Sequence, residues 1–185
     1  MRSLIIAIAL ASVCGLAAAE PASQADPVGE LVAGKGLISR LEGVRQNMSS
    51  VASELVVNAM GFLGVRYKYG GNDLEDGVDC SGFVRAIYEQ SLGMVLPRRA
   101  AEQARATQTI SQDELKPGDL VFFNTMRSAF SHVGIYIGDN KFIHAPRSGA
   151  QVRVEDMRQS YWVKRFNGAR RVDAGAGSIP LPLPR

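Results

Sequence analysis

The order of apolar and polar positions divides the chain into a helical stretch and a later strand-rich stretch. From Ser50, the residues Val51, Leu55, Val56, Ala59, Met60 and Leu63 recur at helical spacing, with Ser50 as cap and Gly64 as stop. "VRYKYGGNDLEDGVD" follows, a loop rich in Gly and Asp. A second helix is expected from about Cys80 to Gln90, capped by Asp79. It would bury Phe83, Val84, Ile87 and Tyr88 and end at Leu92-Gly93. "LPRRAAEQARAT" reads as a turn and a short helix, and Pro117-Gly118 as a turn feeding a strand from about Asp119 to Phe123. "HVGIYIGDNKFIHA" reads as a β-hairpin around Gly138-Asp139-Asn140. "VRVEDM" and "WVKRFNGARRV" supply later strands, the last ending near Val172. Helices followed by strands on short turns predict an α+β fold, an antiparallel sheet with helices on one side. No internal repeat is visible.

The N-terminus changes the chemistry that is available. Met1-Arg2-Ser3, an apolar run from Leu4 to about Leu16 and the small residues Ala17-Ala18-Ala19 have the parts of a secretory signal, with cleavage expected after Ala19. The run is shorter than the roughly 20 residues of a membrane-spanning helix. An uncleaved anchor and lipid attachment at Cys14, in "LASVC", are the alternatives; Val13 stands where a lipoprotein signal wants a small residue. The chain is therefore expected to be exported, with membrane anchoring if Cys14 carries lipid. Residues 20–50 read as a flexible lead and residues 173–185 as a Gly- and Pro-rich tail. The net charge of +3 excludes no class of partner and is mildly compatible with an anionic wall polymer.

Signal removal leaves Cys80 as the only cysteine, so it cannot pair within the chain. A thiol at a helix start, just after a capping Asp79, meets the positive end of the helix dipole and free N–H groups, which favour a thiolate and an oxyanion. Gly82 would let a substrate backbone approach. The chain has two histidines, His132 and His144, both in the hairpin. A cysteine nucleophile needs an imidazole partner, which in turn needs an orienting group. An odd-length turn, or a bulge at Gly138, sets Gly134 opposite His144 and makes His132 its diagonal neighbour on one face. A plain two-residue turn would put the imidazoles on opposite faces. Gly134 would leave room between the rings.

"RYKYGG…GVDCSGFVRAIY", "LPR…EQ", "LKPGDLVFF", "SHVGIYIGDNKFIHA" and "YWVKRFNGARRV" together resemble the NlpC/P60 family of cell-wall cysteine peptidases. The resemblance spans about Val51 to Val172, which sets residues 51–172 as the catalytic domain. It implies a papain-like core with the nucleophile helix packed on an antiparallel sheet. It implies Cys80 as nucleophile, His132 as base and His144 as the polar residue that holds His132. Tyr67 matches the family tyrosine that would donate its hydroxyl to an oxyanion beside the Cys80 amide; Tyr69 is a nearby rival. Asp79, Ser81 and Arg98 match positions that line the substrate cleft. Arg99 departs from the Thr or Ser common after "LPR", which puts cleft contacts near that turn in doubt. The loop from Asp73 to Asp76 could favour an amine-bearing substrate or simply stay solvated.

The resemblance, nearest to small single-domain enzymes of Gram-negative bacteria, implies hydrolysis of peptide bonds in peptidoglycan stems or cross-links in the periplasm, with outer-membrane anchoring if Cys14 carries lipid; a monomer is expected. An amidase or acyl transferase on the same fold, and a wall-binding module without activity, are the alternatives. No cofactor is expected, and no metal, since a zinc-held thiolate would be a poor nucleophile. No phosphate-cradling glycine loop suggests a nucleotide, and no nucleic acid partner is expected.

Overall fold

The computed structural model describes residues 42, 43, 46, 49–73, 75–126 and 128–173. The expectations for the secretory signal, Cys14, most of the lead and nearly all of the tail fall outside these residues.

Residues 42, 43 and 46 are helical, as are 49–61, the first helix, α1. Ser50 therefore lies inside helical backbone and is not its cap. The buried stripe of α1 is Leu55, Ala59 and Phe62, whereas Met60 and Leu63 are exposed. The end of the helix explains the difference. The amides of Phe62 and Leu63 donate three residues back, to Ala59 and Met60, and this tighter winding turns Phe62 inward and Leu63 outward. Phe62 meets Phe83 edge-on at 5.7 Å. Gly64, at φ 86°, ends the element.

A short antiparallel pair, β1 (Asn72–Asp73) and β2 (Gly77–Val78), leads into α2 (Cys80–Leu92). Asp79 caps α2 by accepting from the Gly82 amide, and Gly93, at φ 65°, closes it in the left-handed conformation. Phe83, Val84, Ile87 and Tyr88 are buried, the face the apolar spacing predicts. After α3 (Ala100–Ala106) come β3 (Gln108–Ile110), a 3-10 turn (Gln112–Glu114), β4 (Leu120–Phe123), β5 (His132–Gly138), β6 (Lys141–His144), β7 (Arg153–Asp156), the single-turn helix α4 (Ser160–Val163) and β8 (Phe166–Arg171).

Strands β3 to β8 form one antiparallel sheet in the order β3-β8-β4-β5-β6-β7. Helices α1 to α3 cover one face, where α2 packs with Leu120, Phe122, Val133, Ile135 and Ile143. The other face buries Val121, Phe123, Phe142, Met157 and Trp162. The fold is α+β and papain-like, with α2, which begins at Cys80, packed on an antiparallel sheet. Besides the short β1–β2 pair inside the expected loop 65–79, two stretches differ from the sequence expectation. Gln108–Ile110, too short and polar to read as a strand, pairs along β8 at the sheet edge. Trp162, expected in a strand, lies in α4, where its ring fills the second core; packing overrides the β preference of Tyr-Trp-Val.

The hairpin register decides where the histidines go. Ile135 faces Ile143 and Tyr136 faces Phe142, but Gly138 faces Lys141, so one extra residue lies on β5 between Tyr136 and Gly138. The loop itself has two residues, Asp139 and Asn140, both with positive φ (51° and 57°), the twist a two-residue hairpin prefers. The bulge restores the alternation that such a loop would otherwise invert. Carried outward by one pair, the register sets Gly134 across from His144. A Cβ on Gly134 would lie 2.7 Å from the Phe142 ring and 3.1 Å from the His144 Cβ, so only glycine fits.

Candidate active site

Cys80 is the first residue of α2. The first amides of a helix have no carbonyl ahead of them. Here the amides of Cys80 and Ser81, with that of Val133 from β5, point at the sulfur. The sulfur thus meets the sheet at the residue next to His132. Burial pushes the thiol up to about 11, the Asp79 carboxylate adds to the rise, and the three amides oppose it. The expected lowering by the helix terminus is present but outweighed by desolvation. Cys80 as a residue is partly exposed.

His132 Nε2 and His144 Nδ1 are 2.7 Å apart, on one face of the sheet, with rings nearly perpendicular. Both are buried, His144 completely. Burial lowers both imidazoles, His132 to about 3, with the neighbouring His144 as its second cause. A neutral thiol and two neutral rings are the resting charge state these surroundings favour.

Tyr67 lies on a segment held from both sides: its amide donates to Ala150, and it bridges Val78. Its hydroxyl is pushed up to about 12, first by burial and then by the Cys80 and Asp79 charges, so it stays protonated at neutral pH. Tyr69 is 83% exposed. Of the two rivals, Tyr67 is the one near the sulfur.

Asp79, Ser81 and Arg98 form one network behind the thiol. Arg98 donates to both Asp79 oxygens, at 2.9 and 2.6 Å, and to Ser81 Oγ at 3.0 Å. The Gly82 and Gly70 amides also donate to Asp79. Burial alone would raise the Asp79 carboxyl, yet the Arg98 and amide hydrogen bonds together hold it below its ordinary value. Arg98 keeps the more exposed edge of the pair. From α3, Gln103 donates to the carbonyls of Ser81 and Pro97. Gly82 does not open space for a ligand: a Cβ there would lie 2.1 Å from the Gly71 carbonyl, so its bareness lets the chain's own loop close on α2. In the acidic loop, Asp76 pairs with Lys68 at the surface.

Two residues that sequence reasoning did not single out touch the histidine pair. Trp162 stacks on His132, with centroids 5.8 Å apart and planes at 20°, and meets His144 edge-on. Its indole N–H donates to Glu155. Glu155, on β7, faces His144 Nε2 at 3.6 Å, longer than a hydrogen bond, and pairs with Arg153. Its carboxyl is held down to about 2, first by the His144 ring, then by Trp162 and Arg153. Strand alternation puts Arg153 and Glu155 on one face of "VRVED", but the register that turns this face to His144 is set across the loop 145–152. Among the described residues, no group of three or more His, Cys, Asp or Glu side chains could hold a metal ion, and no helix is long and apolar enough to cross a membrane.

A thiol at the start of a helix that packs on an antiparallel sheet, with a hydrogen-bonded pair of imidazoles carried by the same sheet, has the layout of a papain-like domain. Residues 64–171 match the NlpC/P60 family, and the chain belongs to it. The chain is 42% identical over 122 residues to the Escherichia coli K12 protein "Murein DD-endopeptidase MepS/Murein LD-carboxypeptidase", covering 66% of this chain and 63% of that one. It is 37% identical over 151 residues to a probable endopeptidase NlpC homologue of Haemophilus influenzae, covering 74% and 78%. The crystal structure of an NlpC/P60 family protein from Bacillus cereus superposes with a TM-score of 0.60 at 35% identity, over 65% of this chain and 39% of that one.

Proposed function

We infer that the protein is a cysteine endopeptidase that hydrolyses peptide bonds in peptidoglycan stem peptides or cross-links. The observation that carries this reading is the His132–His144 contact of 2.7 Å, one residue along β5 from the amide that points at the Cys80 sulfur. Membership of the NlpC/P60 family and the murein endopeptidase named among the relatives support the substrate class.

In this mechanism His132 takes the Cys80 proton and the thiolate attacks the scissile carbonyl. The carbonyl oxygen becomes an oxyanion, held by the Tyr67 hydroxyl and the Cys80 amide. His132 then gives its proton to the leaving amine, which frees one product and leaves a thioester on Cys80. Water attacks the thioester, His132 removes its proton, and the acid product leaves with the thiol restored. Proton transfer by a positioned imidazole contributes roughly 10²–10⁴-fold. His144 holds the His132 ring in place. Asp79, Ser81 and Arg98 form the cleft wall, with the exposed edge of Arg98 as the part that reaches substrate. The protein works in the periplasm as a monomer, exported by residues 1–19 and free or lipid-anchored at its start. Residues 51–172 are the catalytic domain.

Digestion of purified, defined muropeptides, monomeric and cross-linked, tests the reading. Wild-type protein is expected to give products whose summed mass exceeds the substrate by one water, and Cys80→Ala none. Transfer to an amine acceptor instead of water would show an acylated acceptor, and undiminished cleavage by Cys80→Ala would overturn the assignment.

A further inference from the structure

We propose that Glu155 is a positioning residue for the histidine pair: its carboxylate selects the ring tautomers that leave His132 Nδ1 unprotonated to accept the Cys80 proton. The proposal extends the cysteine-peptidase reading above and rests on it.

The geometry begins at the far end of the pair. His144 is fully buried, and among the described residues its Nε2 has no hydrogen-bond partner. The Glu155 Oε1 atom faces that nitrogen at 3.6 Å. A ring nitrogen opposite a carboxylate is attracted if it carries hydrogen and repelled if it presents a lone pair, and in a dry site this difference is large. His144 is therefore protonated at Nε2 and bare at Nδ1. The bare Nδ1 must accept in the 2.7 Å contact, so His132 donates from Nε2. A neutral imidazole carries one proton, which leaves His132 Nδ1 as a lone pair.

Glu155 is itself fixed. The Trp162 indole N–H donates to its Oε2, and Arg153 donates to its Oε1. Trp162 also stacks on His132, so one side chain braces both ends of the relay. The charged and titratable groups facing the carboxylate are His144 on β6, His132 beyond it on β5, and Arg153 on its own strand. Arg153 is half-exposed and only partly offsets the negative charge.

Its role in the step follows from the charges. When the Cys80 proton moves to His132 Nδ1, the ring becomes an imidazolium that still donates from Nε2 to His144. No proton moves to Glu155. The carboxylate favours the imidazolium through His144, and both rings are drawn upward by it against the larger effect of burial. Without that charge, the thiolate–imidazolium state is less populated at a given pH.

The test has a part that needs no variant and no substrate. With only two histidines in the chain, long-range 1H–15N spectra of the rings can be assigned with His132→Gln. At neutral pH, wild-type protein is expected to show both rings protonated at Nε2. A His144 ring protonated at Nδ1 would overturn the proposal. In Glu155→Gln, tautomer mixing is expected, and the pH midpoint for alkylation of Cys80 by iodoacetamide should rise. Muropeptide turnover should fall about 10–100-fold in kcat with KM unchanged, the size of effect typical for losing an outer partner of a functional histidine. Glu155→Asp, which keeps the charge, should recover part of both. A Glu155→Gln protein with wild-type alkylation profile and tautomers would reduce Glu155 to packing. Because alkylation and spectra use no peptidoglycan, failure of the substrate assignment would leave them unchanged.

Discussion

Arg98 grips both oxygens of Asp79, the residue immediately before the thiol, and its remaining reach goes to Ser81, the residue immediately after it. The side chains on either side of Cys80 are thus tied to one guanidinium. Arg98→Ala is expected to leave the buried Asp79 carboxylate with only the Gly70, Gly82 and Ser81 donors. A loss of about 2 kcal/mol in stability is expected, as for a hydrogen bond to a charged group, and denaturant midpoints check it.

Gly134→Ala tests the spacing of the rings. A Cβ at this position meets the Phe142 ring, the Ile143 carbonyl at 2.9 Å and the His144 Cβ. Overpacking of this kind costs about 1–3 kcal/mol. The variant should melt lower and, where folded, lose turnover beyond the stability effect because His144 is pushed off His132. Thermal melts paired with activity below the transition separate the two losses.

Much of this arrangement was legible in the sequence, and the parts that were not have identifiable physical causes. Asp79, the apolar spacing of Phe83, Val84, Ile87 and Tyr88, and Gly93 are local signals, and α2 follows them. The hairpin was also local: His132, Gly134 and His144 share a face once Gly138 supplies the bulge. Glu155 and Trp162 were missed because they join the site through strand register and core packing across long connections. Leu63 was placed on the apolar stripe where Phe62 is buried instead, because a 3-10 ending shifts the helical period by a fraction of a turn. Gly82 was read as room for substrate, whereas the Gly71 carbonyl occupies that space.

Stability should fall in mild acid. The folded value of His132 is about 3, below its ordinary 6.5, and that of His144 is lowered as well. Below pH 6.5 the unfolded chain takes up protons that the folded chain refuses. The stability the neutral His132 ring contributes is full above 6.5 and is lost as pH falls toward 3, by up to about 1.4 kcal/mol per pH unit, and His144 adds a loss in the same direction. Glu155, ordinarily at 4.5 and held to about 2, adds a loss in the same direction below about 4.5. Denaturation at pH 7, 6, 5 and 4 measures the slope, and His132→Gln should flatten it.

Tyr67 and Tyr69 should separate cleanly. Tyr67 stays protonated at neutral pH beside the sulfur, and Tyr69 stands in solvent. Tyr67→Phe is expected to lower kcat by about 10²–10³-fold, the size of one lost oxyanion donor, with little change in stability. Tyr69→Phe should keep turnover within a factor of about two, since it removes no donor near the thiol. Steady-state kinetics on one muropeptide decides.

The most direct test is capture of the covalent intermediate. Acid-quenched mixtures of protein and muropeptide, digested and mapped by mass spectrometry, should show the acyl fragment on Cys80 as a thioester. Cys80→Ala should show neither adduct nor product. An adduct on another residue, or turnover that survives Cys80→Ala, would contradict the assignment of Cys80, His132 and His144 as one working unit.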